Sequence, residues 1–106
     1  MADVEVFSGV CGFNTVIQAE TGGKYKATIH IESACPHVTK LAEKINGLGE
    51  VNAMNELFKK GQSQILASCT EILPHVTCPV SVGILKALEA CTGMALPKDA
   101  TITFRK

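Results

Sequence analysis

Apolar and polar positions alternate along the first third of the chain and repeat at helical spacing along the rest. Val4 and Val6, with neighbouring Phe7, predict a short first strand stopped by Ser8-Gly9 and again by Gly12. Residues 13–20 and 25–32 follow, joined by Thr21-Gly22-Gly23-Lys24. In the second of these runs Tyr25, Ala27, Ile29 and Ile31 share one face, and Lys26, Thr28, His30 and Glu32 the other. Two such runs flanking Gly-Gly predict a hairpin, because glycine takes the positive φ of a tight turn without strain.

Helical spacing begins at Val38, Leu41, Ala42 and Ile45, with Pro36 suited to a first turn and Gly47 to a C-cap. Val51, Met54, Leu57 and Phe58 repeat it, and Ile65, Leu66, Cys69, Ile72 and Leu73 form a third stripe ended by Pro74. A fourth helix is expected from Pro79 through Val82, Leu85 and Leu88 to about Cys91. The tail at 100–104 alternates and reads as a closing strand. The expectation is an α+β domain spanning 1–106: an N-terminal hairpin within a three-stranded antiparallel sheet, a C-terminal strand, and about four helices on one face.

Composition narrows what such a domain can do. Ten Lys+Arg against ten Asp+Glu leave no basic surplus for a phosphate backbone, and one Tyr with no Trp leaves little for base stacking. Nucleic acid is therefore not an expected partner. Neutral charge instead favours self-association, so a homodimer through a sheet edge or helical face is one reading. No apolar run approaches a membrane span, and the acidic start Met1-Ala2-Asp3-Val4-Glu5 is unlike a secretory signal. The expected location is the cytoplasm, where five cysteines stay free, metal-bound or redox-active.

The cysteines are the candidate chemistry. Cys35 and Cys78 each precede a proline at a predicted helix start, which makes both N-cap candidates. The exposed amides and the positive end of the helix dipole there favour thiolate, the form that binds metals and attacks disulfides. A turn centred on Gly22-Gly23 sets Phe13 opposite Glu32 and brings Cys11 opposite Ala34, beside Cys35. Gly9 and Gly12, flanking Cys11, would let backbone amides approach a bound cofactor closely.

Cys69 lies in a core-like stripe nine residues before Cys78, and Cys91 on an apolar helix face. The expected metal ligands are Cys11, Cys35, Cys78 and Cys69, four thiolates suited to zinc or an iron–sulfur cluster, with His37 or His75 as substitutes for Cys69. No C-x-x-C occurs, which excludes a zinc ribbon and a thioredoxin-type motif. A second reading is thiol redox chemistry with a protein partner, in which Cys35 or Cys78 attacks and Cys11 resolves. Glu43, Glu56 and Glu71, with lysines nearby, read as solvated helix faces. No residue set defines an enzyme.

Ser8-Gly9-Val10-Cys11-Gly12-Phe13, Glu32-Ser33-Ala34-Cys35-Pro36-His37-Val38 and Val76-Thr77-Cys78-Pro79-Val80-Ser81 resemble segments of a family of short prokaryotic proteins. That family is a domain of unknown function found in anaerobic bacteria and methanogenic archaea. The resemblance covers nearly the whole chain and brings no activity with it. The anaerobic setting it implies would suit an oxygen-sensitive iron–sulfur site.

Overall fold

A computed structural model describes residues 1–59 and 61–105. Strands β1 (Ala2–Phe7), β2 (Asn14–Gly23), β3 (Lys26–Ser33) and β4 (Val51–Asn52) form one antiparallel sheet in the order β1-β2-β3-β4. Four helices accompany it: α1 (Pro36–Leu48), α2 (Ala53–Leu57), α3 (Gln64–Ile72) and α4 (Val80–Cys91). The α+β reading holds.

The alternation that announced β3 sorts as expected. Ala27, Ile29 and Ile31 are buried, and Lys26, Thr28, His30 and Glu32 face solvent. β2 contributes Thr15, Ile17 and Ala19 to the same inner face. Against that face α1 packs over β3 and α4 over β1 and β2, while α3 lies against α1 and α4. The α1 stripe is the one the spacing gave: Val38, Leu41, Ala42 and Ile45 are all buried. α4 is rotated from expectation, since Val80, Gly83, Ile84, Ala87 and Leu88 are buried and Val82 is exposed.

Three expectations are corrected. The hairpin turns at Lys24-Tyr25 rather than at Gly22-Gly23, with Tyr25 at φ 61° and the ladder shifting between Thr21 and Gly23. Val16, not Phe13, therefore lies opposite Glu32, a displacement of three residues. The stripe beginning at Val51 is not one helix: Val51 pairs with Ala27 in β4, and α2 starts only at Ala53. Finally, the closing strand does not join the sheet. Residues 95–105 form no strand, and Ile102 and Phe104 are each 90% exposed. The fourth sheet position is taken by β4, which leaves the alternating tail without a ladder partner in its own chain.

Candidate functional site

Four of the five cysteines are borne by segments at one end of the sheet. Phe7 pairs with Asn14 and Thr15 with Ser33, so the end of β1, the start of β2 and the end of β3 coincide there. Cys11 follows β1 and Cys35 follows β3. The start of α4 points to the same end, because Gly83, in its first turn, lies against Val6 and Ile17. Cys78 lies two residues before that helix, and Cys69 on α3 is close enough to Cys78 to feel its charge. Cys91 stands apart at the other end of α4, within reach of the N-terminal amine.

Local chemistry explains each position. Cys11 ends a single 3-10 turn, Gly9–Cys11, and is exposed. Gly9 and Gly12 have φ values of 78° and 73°, which a residue with a Cβ adopts only with strain. The turn is closed by the Ser8 N–H donating to the Phe13 carbonyl at 3.0 Å and the Gly12 N–H donating to that of Gly9 at 2.9 Å. A Cβ at either glycine would meet nothing within 4 Å, so the turn is open to solvent on that side.

Cys35 is the half-buried N-cap of α1, though its side chain makes no capping bond. Its backbone is held instead: its N–H donates to Ser33 Oγ at 3.2 Å, and its carbonyl accepts from Thr39 Oγ1 at 3.0 Å. Ser33 Oγ also accepts from buried Thr15 Oγ1 at 2.9 Å. One serine thus ties β2, β3 and the entry to α1 together. Cys78 is half-buried two residues before α4, whose N-cap is Pro79 rather than Cys78. The cap falls on the proline because its carbonyl accepts the first intrahelical bond, from the Gly83 N–H at 3.0 Å.

Cys69 is buried, as its stripe implied. Burial first, and nearby Cys78 second, push its thiol up to about 12. Burial likewise raises the Cys91 thiol, and the N-terminal amine partly offsets this. The Cys91 Sγ donates to the Leu88 carbonyl at 3.4 Å. Cys35, Cys78 and Cys91 pack against the apolar core.

Among the described residues no group of three or more His, Cys, Asp or Glu side chains is disposed to hold a metal ion. The fold brings four cysteine-bearing segments to one end without gathering their sulfurs into a ligand shell. His37 and His75 are exposed at that end, and His30 faces solvent on the sheet, 3.2 Å from Glu32. Surface hollows of about 150 Å³, beside Gln18 and His30, and about 390 Å³, beside Ser63 and Thr70, contain no cysteine. Among the described residues no helix is long and apolar enough to cross a membrane.

Sequence reasoning missed one polar residue of structural weight. Glu56, read as a solvated face, is buried and accepts from Ser63, Gln64 and Ile65 at the start of α3. The available signal was Ser63, an N-cap residue before an apolar stripe, which marks amides in need of an acceptor.

The chain belongs to a family of unknown function (DUF6951), whose profile matches residues 2–104. That span takes in the cysteine-bearing end, Glu56 and the unpaired tail. No curated protein and no solved structure matches it.

Proposed function

We propose that the chain is a small cysteine-ligated metal or iron–sulfur protein with Cys11, Cys35, Cys69 and Cys78 as ligands. One observation supports this above others. Cysteines as far apart in sequence as Cys11 and Cys78 are borne by segments that converge on one end of the sheet, and Cys91 is not among them. Four thiolates satisfy tetrahedral zinc, or one iron each in a small cluster.

Metal binding at Cys69 must displace a proton that burial holds in place. Cys69 holds its proton in the metal-free fold, and a thiol that ligates a metal loses it outright. Binding would draw the four sulfurs together, and the movement falls on the turn at 8–13 and the connection at 73–79, which lie between regular elements. Gly9 and Gly12 leave the first of these free of steric neighbours. A centre of this kind serves electron transfer or cluster carriage.

Metal analysis of reduced protein purified without oxygen tests the reading. A cluster gives a brown colour with absorbance near ~400 nm, and zinc gives bound metal without colour. Single Cys→Ser changes at 11, 35 and 78 are each expected to lose the metal, and Cys91→Ser to retain it. Metal-free protein with five freely titrating thiols overturns the proposal.

That Cys11 is exposed and Cys35 half-buried, on segments at the same end of the sheet, favours thiol exchange as the second reading. In it Cys35 thiolate attacks a partner's disulfide, and Cys11 thiolate displaces the partner as a thiol, leaving a Cys11–Cys35 disulfide. A Cys11–Cys35 disulfide formed quantitatively by a small-molecule disulfide, in protein that binds no metal, would select it.

A further inference from the structure

β1 is an edge strand that its own chain leaves incomplete. Its inward residues Val4 and Val6 point to the helix layer as Ile17 and Ile31 do, yet they are only half-buried, whereas Ile17 and Ile31 are 0% and 4% exposed. The difference is lateral: β2 has a neighbour on both sides, and β1 has one. Val82 on α4, the helix that covers β1, is exposed as well. An edge of six residues with free backbone donors and acceptors is a template for one more strand.

The chain also carries a strand without a sheet. Thr101-Ile102-Thr103-Phe104 alternates β-branched and apolar residues, and Ile102 and Phe104 are each 90% exposed. Residues 92–99 connect it to α4, which packs on β1 and whose last turn lies near the N-terminal amine at the β1 start. The family match runs to 104, which makes this segment part of the shared unit rather than an appendage.

We propose that the 100–104 segment of one chain pairs with the β1 edge of a second copy, and reciprocally, forming a two-fold strand-exchanged homodimer. Parity supports the fit. With Ile102 and Phe104 turned inward over Val4 and Val6, Thr101, Thr103 and Arg105 share the outer face with Asp3 and Glu5, where the basic residue meets two acids. A net charge of zero adds no long-range repulsion between copies. Reciprocal exchange closes on itself, so the association stops at two chains.

Sedimentation velocity of the full chain under reducing conditions, which removes any disulfide dimer through Cys11, is the first measurement. The expected mass is twice 11.2 kDa. A chain ending at Lys98, and Ile102→Asp/Phe104→Asp, are each expected to halve the mass and keep the far-ultraviolet circular dichroism of the fold, because the described residues they alter are all exposed. Hydrogen exchange supplies the second readout. Amides of β1 and of 101–104 are expected to be protected in the full chain and to lose protection together on dilution to monomer. Three results overturn the proposal: a monomer at all concentrations with an unprotected tail, a monomer with a protected tail (pairing within one chain), or a dimer that survives loss of the tail.

Discussion

The Glu56 carboxylate accepts the backbone N–H of Ile65 at 2.8 Å, across nine residues of sequence. The same group accepts from Ser63 Oγ at 3.0 Å and from the Gln64 N–H at 3.2 Å, while Ser63 Oγ accepts from the Leu66 N–H at 3.1 Å. A helix start leaves four amides without intrahelical partners, and here a buried carboxylate from α2 and the N-cap serine supply the acceptors. This bond set fixes α3, and with it Cys69, to α2.

Removing the Glu56 acceptor leaves the Ile65 N–H buried and unpaired and takes a partner from the part-buried Ser63 and Gln64 donors. Glu56→Ala is expected to lower the unfolding free energy by about 2–4 kcal/mol, since hydrogen bonds to a charged group contribute more than neutral ones and a desolvated amide is left behind. Glu56→Gln keeps one acceptor oxygen and should cost roughly half as much. Urea unfolding monitored by circular dichroism checks both. An equal loss for Gln and Ala would show that shape rather than hydrogen bonding sets the effect.

A close approach of backbone to side chain decides where α4 sits. Gly83 is buried, and a Cβ there would overlap Val6 Cγ2 and come within 3.2 Å of Ile17 Cδ1. Gly83→Ala gains roughly 1 kcal/mol of helix propensity but overpacks a buried seam, which costs about 1–3 kcal/mol. The expected net effect is a destabilisation of about 1 kcal/mol. Val6→Ala removes the overlapping methyl, so the double variant should lose less than the sum of the two single losses, as a double-mutant cycle measures. Additive losses would mean that α4 shifts bodily instead.

Much of the fold was legible because single-face burial leaves its period in the sequence. Ala27, Ile29 and Ile31 on β3, and Val38, Leu41, Ala42 and Ile45 on α1, are read directly and are buried as read. Register was not legible. Gly22-Gly23 carries the usual signal for a tight turn, yet the turn falls on Lys24-Tyr25 and the glycines accommodate a ladder irregularity instead. At Gly22 a Cβ would meet only the tip of the exposed Glu50 side chain, which can swing away, so packing does not demand glycine there. Val51 was misread because a two-residue strand carries no period and needs its partner Ala27 to be recognised. For the cysteines, the hairpin placed Cys11 and Cys35 at one end of the sheet, whereas nothing local in the sequence placed Cys69 and Cys78 there. The separations of their sulfurs depend on register and rotamers, and the register shift is enough to undo the pairing expected between Cys11 and Ala34.

Exposure orders the thiols in the metal-free protein. Cys11 is exposed, Cys35, Cys78 and Cys91 are half-buried, and Cys69 is buried. Limited alkylation at pH 8 with mass-spectrometric mapping is expected to label Cys11 first and Cys69 last. Cys69 reacts only through opening of the fold, so its rate should lie at least ~10³-fold below that of an unfolded control. Prompt labelling of Cys69 would mean that α3 detaches in a low-energy local opening.

Cys69 also gives the fold a sign of pH dependence. Its thiol is raised from 9.0 to about 12, by burial first and Cys78 second. The proton is therefore held more tightly in the folded state than in the unfolded chain. Below pH 9 both states are protonated and stability is independent of this group. Between pH 9 and about 12 the unfolded chain releases a proton that the folded chain keeps, so unfolding becomes easier as pH rises. The limiting slope for one group is about 1.4 kcal/mol per pH unit. Cys91, also raised by burial, adds to it in the same direction. Urea unfolding of reduced, metal-free protein from pH 8 to pH 11 is expected to show the loss, and Cys69→Ala, although less stable throughout, should flatten the curve over that window. An unchanged slope in Cys69→Ala would place the alkaline sensitivity elsewhere.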